Sequence, residues 1–345
     1  MREIFLQGQN YSSQIIVGES LANVSKYLTG KKTIVITDRT VFQLYHHLLE
    51  PFPVIVLEPG EQTKTLQTIE MIVAKLLEKG IDRHSFLLGV GGGVVCDVTG
   101  FVATVFMRGI AFGFVSTSLL SQVDASIGGK NGVNFHSFKN IIGTFNHPQF
   151  ILCDIEMLKT LPKEEIRSGW GEIIKHALIA DETLFKRIEI AKEKDVFTID
   201  KSFYEELIYR NIEIKTSIVR QDEKETGIRK QLNFGHTLGH AIEKISGRTH
   251  GESVMHGMLF ASWWSAQKKM IANNEFQRIK KLLEKFKIAE KLPIDTSALM
   301  ETVKKDKKRN GEAIDFVFLS GMGKAHVKSV AFSELSEAIE NYWKY

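Results

Sequence analysis

Four short, unbroken apolar runs in the first 120 residues constrain the fold more than any other feature of this sequence. They are KTIVITD (32–38), VIVL (54–57), FLLGV (86–90) and FGFVS (112–116). A strand that faces water on one side alternates apolar and polar residues, whereas a strand apolar throughout is covered on both faces. Between the second and third runs, residues 65–79 set Leu66, Ile69, Ile72, Val73, Leu76 and Leu77 on one helical face. Apolar strands alternating with helices predict an α/β domain on a doubly wound, mostly parallel sheet. Ligands of such sheets bind beyond the carboxyl ends of the strands.

The pattern changes to helices after residue 160. Helical periodicity opens behind Pro162, returns over 203–220, runs through the stretch 232–252, and continues over about 252–269 and 275–286. Residues 314–319 and 325–330 read as a hairpin, and a final helix closes the chain. At 345 residues the chain is too long for one compact core. The expectation is an α/β domain over 1–160 and an all-α, mainly helical domain over 161–345.

Composition excludes several classes. Hydrophobic content of 43% and charged content of 25% are ordinary for a soluble globular protein, and a net charge of +4 without a long basic run argues against a nucleic-acid groove. The densest basic cluster, Lys304, Lys305, Lys307, Lys308 and Arg309, reads as a solvated helix end or a phosphate contact. No apolar run reaches the ~18 residues that span a bilayer. The opening MREIFLQGQNYSS lacks the apolar core of a signal peptide. Cys96 and Cys153 cannot form a disulfide framework or a CxxC site. A cytoplasmic protein with neither membrane nor nucleic-acid partner is expected.

Three segments carry candidate chemistry. After the third strand comes GVGGGVVCDVTGF (89–101), where glycines let a backbone approach a pyrophosphate and the next helix offers its N-terminal amides. It departs from the GxGxxG fingerprint, since Cys96 stands where glycine or alanine is expected. Tight helix–sheet packing would also account for it. Asp38 at the end of the first strand can grip a ribose, and PGEQTK (59–64) supplies Glu61 and Lys64; an acidic grip favours NAD over NADP. Residues 116–143 are dense in small polar residues, with Asp124, Lys130, Lys139 and Asn140 among them and a Gly128–Gly129 turn before Lys130. Packing does not explain that density, which points to binding. In LNFGHTLGHAIEKISGRTHGE (232–252), His236 and His240 stack on one helical face with Glu243, Gly247 is a plausible stop, and His250 could fold back. Such histidines often merely pack; as metal ligands they need a carboxylate from elsewhere. Glu172 and Lys175, three apart, read first as a surface salt bridge.

The motifs PGEQTK, VGGGVVCD, FMRG, VDASIGGKNGVN, KNIIG, SGWGEIIKH, DEKE, NFGHTLGHAIE, HGE and DKK, in this order, resemble the 3-dehydroquinate synthase family of sugar-phosphate cyclases over nearly the whole chain. The resemblance implies a reaction on 3-deoxy-D-arabino-heptulosonate 7-phosphate, with NAD and zinc, or cobalt, as cofactors. It implies Glu172, His236 and His250 as metal ligands, and moves His240 to the substrate, as a proton shuttle near the reacting hydroxyls with Asp124 and Lys175. Asp38, Glu61, Lys64, Gly91, Gly92, Gly93, Asp97, Thr117, Ser118, Lys130 and Lys139 would bind NAD. Lys130, Asn140, Asn233 and Lys307 would surround the substrate phosphate, with Arg108 reaching it from a neighbouring subunit of a homodimer. Lys215 and Arg229 would hold the substrate carboxylate. Other cyclases, which act on substrates without that carboxylate, and metal-dependent polyol dehydrogenases of the same fold are the alternatives. The chain departs from the family at Cys96, where glycine is usual, at Ser118, where a second threonine is common, and at Phe138, where glycine is usual.

Overall fold

The four apolar runs become four adjacent strands of a seven-stranded sheet, with VIVL at its edge. The strands are β1 (Arg2–Gln7), β2 (Ser12–Val17), β3 (Thr33–Asp38), β4 (Val54–Leu57), β5 (Phe86–Gly91), β6 (Ala111–Ser116) and β9 (Phe150–Cys153). Their order is β1-β2-β9-β6-β5-β3-β4. Among the described residues of this sheet, β1 and β2 pair antiparallel and the other pairings are parallel. A separate antiparallel hairpin joins β7 (Lys130–Phe135) to β8 (Phe138–Phe145). The structure is a computed structural model that describes residues 1–8, 11–28, 30–136, 138–192, 196–288, 292, 294–306 and 312–344.

The physical basis of the central strands is burial on both faces. Ile34, Val35 and Ile36 of β3, and Leu87 and Leu88 of β5, have no exposed surface. Each such side chain contributes roughly 1.5–3 kcal/mol on burial. Sequence reading missed β1 and β2 at one edge of the sheet, and β9 beside them. β1 has a half-exposed pattern, and β9 has only four residues, whose partners β2 and β6 lie far away in sequence.

The chain forms two compact units. One comprises Met1–Leu161 together with Ile199–Arg220; the other comprises Pro162–Thr198 and Gln221–Tyr345. The first thus takes in most of the helix Lys201–Gln221, where the N-terminal amine of Met1 meets Glu205 at 2.7 Å. Helix starts follow local chemistry: Thr65 caps Leu66–Glu78 by accepting from Thr68 N, and Asp38 caps Arg39–Leu49 by accepting from Val41 N.

The second unit holds the helices Lys163–Ala180, Glu182–Ile190, His236–Ser246, His250–Gln267, Asn273–Glu284, Thr296–Asp306 and Phe332–Lys344, and a hairpin of β10 (Ala313–Gly321) and β11 (Lys324–Ala331). Trp170, fully buried, packs on Phe286 with ring centroids 5.5 Å apart. Gly247, in the left-handed region at φ 68°, ends the first histidine helix, and the next begins at His250 rather than at 252. Among the described residues no helix is long and apolar enough to cross a membrane.

Candidate active site

Three segments remote in sequence converge in the second unit. Glu172 lies on the helix Lys163–Ala180, His236 opens one helix and His250 opens the next. His236 Nε2 stands 3.6 Å and His250 Nε2 3.4 Å from the same oxygen, Glu172 Oε1. One ligand atom from each of the three residues lies within 4.8 Å of the others. The second ring nitrogens are also engaged. His236 Nδ1 faces the Phe234 carbonyl at 3.2 Å, and His250 Nδ1 faces Glu243 Oε2 at 3.4 Å. An Nδ1–H donated to an acceptor leaves the Nε2 lone pair aimed inward, as a metal ligand requires. Two imidazole nitrogens and one carboxylate oxygen, with Glu172 and His236 buried and His250 half-buried at the open side, fit a catalytic zinc with open positions.

Glycines set this geometry. A Cβ on Gly251 would lie 2.5 Å from the Ser168 carbonyl carbon and closer still to its oxygen, and one on Gly171 would lie 2.6 Å from the Gly251 oxygen. The helices bearing Glu172 and His250 therefore touch backbone to backbone beside both ligands. The Gly251 amide completes the contact by donating to Ser168 Oγ at 3.1 Å.

The electrostatics agree with the packing. Glu172 is 0% and Lys175 1% exposed, so the expected surface salt bridge is instead a buried ion pair. The correction has a tertiary cause: both residues lie on the face that the glycine contacts cover. Burial, then the Lys175 charge, hold the His236 pKa well below its ordinary value, opposed in part by Glu172. Burial also disfavours charge on His250, but its hydrogen bonds to Glu172 and Glu243 and their charges outweigh it and lift the pKa to about 9. His240 stands beside this set, its ring centroid 5.2 Å from His236 and 5.9 Å from His250. Arg229, 1% exposed, donates to the Glu223 carbonyl, and Asn233 Nδ2 donates to Glu225 Oε1.

Sequence reading gave Asp222 no role, yet it organises the loop before Arg229. Oδ1 accepts from Thr226 N at 3.0 Å, and Oδ2 accepts from Gly227 N at 2.7 Å and Arg229 N at 3.1 Å. Nor did it pair Glu243 with His250, because a helix break separates the two. An aspartate ahead of a Thr-Gly turn was the available signal for the first.

In the first unit, the predicted cofactor residues follow the carboxyl ends of parallel strands. Asp38 ends β3, Glu61 and Lys64 follow β4, Gly91 ends β5, Gly92 caps the helix Gly93–Val105, and Thr117 and Ser118 follow β6. Thr117 N donates to Gly91 O at 3.0 Å, and Thr37 Oγ1 to Val90 O at 2.7 Å, which ties these ends together. Lys64 is buried and pairs with Asp97 at 2.6 Å. Burial raises the Asp97 pKa, with Lys64 opposing it. Lys215 Nζ donates to Asp124 Oδ1 at 2.7 Å. Lys130 begins β7, Lys139 and Asn140 lie exposed on β8, and Arg108 is exposed in a left-handed conformation at φ 67°. Gly128 and Gly129, at φ 96° and 72°, make the expected turn. Cys96 is buried on the helix Gly93–Val105. Lys307 lies outside the described residues.

Comparison with known proteins is consistent along the chain. The family model for 3-dehydroquinate synthase N-terminal matches residues 54–168, and that for 3-dehydroquinate synthase C-terminal matches 169–309. A 3-dehydroquinate synthase of Alkaliphilus metalliredigens is 36% identical over 99% of both chains. One from Thermodesulfovibrio yellowstonii is 38% identical over 94% of this chain and 92% of its own. Among solved structures, a 2-deoxy-scyllo-inosose synthase complexed with carbaglucose-6-phosphate, NAD+ and Co2+ superposes with TM-score 0.87 at 25% identity, over 99% of this chain and 100% of the other. A 2-epi-5-epi-valiolone synthase from Streptomyces hygroscopicus with NAD+ and Zn2+ bound shares the fold, with TM-score 0.88 at 24% identity over 100% and 99%.

Proposed function

The chain belongs to the 3-dehydroquinate synthase family, and from that premise we propose how its own residues divide the reaction. The enzyme converts 3-deoxy-D-arabino-heptulosonate 7-phosphate to 3-dehydroquinate and phosphate, a carbon–oxygen lyase reaction of aromatic biosynthesis. An alcohol is transiently oxidised, phosphate is eliminated, the ketone is reduced again, the ring opens and an intramolecular aldol closes the carbocycle. Bound NAD supplies a hydride acceptor regenerated within the turnover, and bound zinc or cobalt supplies Lewis acidity that lowers the pKa of a coordinated hydroxyl.

Glu172, His236 and His250 hold the cation. His240, beside them, carries the proton of the reacting hydroxyl, assisted by Lys175 and Asp124. Asp38, Glu61, Lys64, Gly91, Gly92, Gly93, Asp97, Thr117, Ser118, Lys130 and Lys139 bind NAD. Lys130, Asn140, Asn233 and Lys307 bind the phosphate as donors and point charges, and Lys215 and Arg229 bind the carboxylate. That carboxylate grip favours the heptulosonate over the uncharged-carbon substrates of other cyclases. The observation that carries the reading is the convergence of both histidine Nε2 atoms on one Glu172 oxygen.

The protein acts in the cytoplasm as a homodimer in which Arg108 of one subunit serves the phosphate of the other. Support comes from exposed Val105, Met107, Phe135, Phe138, Ile141 and Phe145, an unusual apolar set flanking Arg108 and on the β7–β8 hairpin. Sedimentation velocity checks it: a monomer at working concentration would remove the shared arginine.

The test of function is to incubate the zinc-loaded protein with the heptulosonate phosphate and substoichiometric NAD. The expected result is 3-dehydroquinate and phosphate in equal amounts without accumulating NADH. Stoichiometric NADH without phosphate release would instead mark a polyol dehydrogenase.

A further inference from the structure

Asn134, near the end of β7, carries none of the roles assigned above, yet its polar groups reach both ligand-binding segments of the first unit. Its Nδ2 donates to Glu61 Oε1 at 2.8 Å. Its backbone N donates to the Lys64 carbonyl at 2.8 Å. Its Oδ1 accepts from the backbone N of Asn140 at 2.9 Å. Asn140 sits at φ 52°, a left-handed conformation that asparagine tolerates better than other non-glycine residues and that the bond to Asn134 holds in place. One side chain thus clamps the PGEQTK turn on one side and strand β8, with Lys139 and Asn140, on the other.

The chemistry calls for asparagine. Aspartate of the same shape could still accept from Asn140 N, but it has no proton for Glu61 and would set a like charge against it. Alanine would lose both side-chain bonds. Glutamine would displace the amide by a methylene.

We propose that Asn134 is a positioning residue that couples NAD binding at the Glu61–Lys64 turn to phosphate binding on β8. Ordering of the turn by NAD holds Asn134, and Asn134 holds Asn140 in its left-handed pose. The coupling is reciprocal, as any linkage between two binding equilibria must be. The inference rests on the assignment of Glu61 and Lys64 to NAD and of Asn140 to phosphate.

Isosteric substitution separates the two arms. In Asn134→Asp, which breaks only the link to Glu61, the NAD Kd, measured by titration calorimetry, rises about tenfold with the loss of a bond to a charged acceptor, inorganic phosphate binding in the absence of NAD stays within about twofold, and NAD no longer tightens it. In Asn134→Ala, both constants rise, and NAD no longer tightens binding of inorganic phosphate. The zinc Kd is unchanged in both variants, which separates positioning from general loss of structure. The proposal is overturned if Asn134→Asp weakens phosphate binding in the absence of NAD as much as it weakens NAD binding, or if either variant retains the NAD effect on phosphate. Lys64→Ala and Asn140→Ala serve as references. If they leave NAD and substrate binding untouched, the site assignment itself fails and the coupling falls with it.

Discussion

Gly251→Ala tests whether backbone contact between helices is what builds the metal centre. The new Cβ would stand 2.5 Å from the Ser168 carbonyl carbon, where carbon contacts settle at about 3.5–4.0 Å. The overlap is thus at least about 1 Å, and backbone atoms cannot rotate away from it. The helices Lys163–Ala180 and His250–Gln267 must part by roughly that much, at the residue next to His250. Overpacking of this kind costs about 1–3 kcal/mol of stability. The effect on metal should be larger than the effect on folding. Zinc ligands must sit within ~0.2 Å of their ideal distances, whereas the substitution shifts one ligand-bearing helix by several times that. Disturbing the supports of a metal site costs about 10–100-fold in affinity, so the zinc Kd should rise at least that far. Gly247→Ala is the control. It lies three residues from His250 and at φ 68°, but nothing stands within 4 Å of its added methyl. It should lose about 1 kcal/mol from backbone strain alone and keep its zinc. Competition with a chromophoric chelator gives both Kd values, and urea unfolding of the metal-free protein gives the stabilities. Native zinc affinity in Gly251→Ala would show that the glycine contacts do not set the ligand geometry.

Other outcomes follow from the same contacts. Glu243→Ala removes the acceptor of His250 Nδ1 and should weaken zinc about 10–100-fold, while NAD binding, measured by fluorescence, stays at its native level. Lys175→Met removes the lysine partner of the buried Glu172 and leaves it His250 as a charged neighbour; the metal-free protein should lose up to about 3–5 kcal/mol, and saturating zinc should restore much of it, so equal losses with and without zinc would contradict the pairing. Burial tends to raise the Asp222 pKa, but hydrogen bonds from the Gly227, Thr226 and Arg229 amides outweigh it and hold the pKa below the ordinary value of 3.8. A carboxylate depressed on folding contributes stability above its unfolded pKa, and that contribution is lost as pH falls through the folded value. The stability gap between wild type and Asp222→Asn should therefore be constant above about pH 5 and narrow in more acid solution. A gap that does not narrow at all as the solution is acidified would argue against the loop cap.

Much of the fold was open to a reader of the sequence because its causes are local. Strands β3, β5 and β6 are buried on both faces and so are almost wholly apolar; Thr65 and Gly247 mark helix ends by their own hydrogen bonding and backbone freedom. Resemblance to a family supplied the ligand set. The spacing of His236, Glu243 and His240 on one helical face was also legible, but it could not tell whether His240 or His250 would meet a carboxylate, nor that Glu172 would be that carboxylate. The burial of the Glu172–Lys175 pair, the Glu243–His250 contact and the place of Asn134 were beyond it as well. Each depends on which backbones come within touching distance across 7 to 83 residues of intervening chain. Periodicity reports which face of a helix is apolar; only packing decides what that face is pressed against. In this protein two glycines, Gly171 and Gly251, allow a helix-to-helix approach that no side chain would permit.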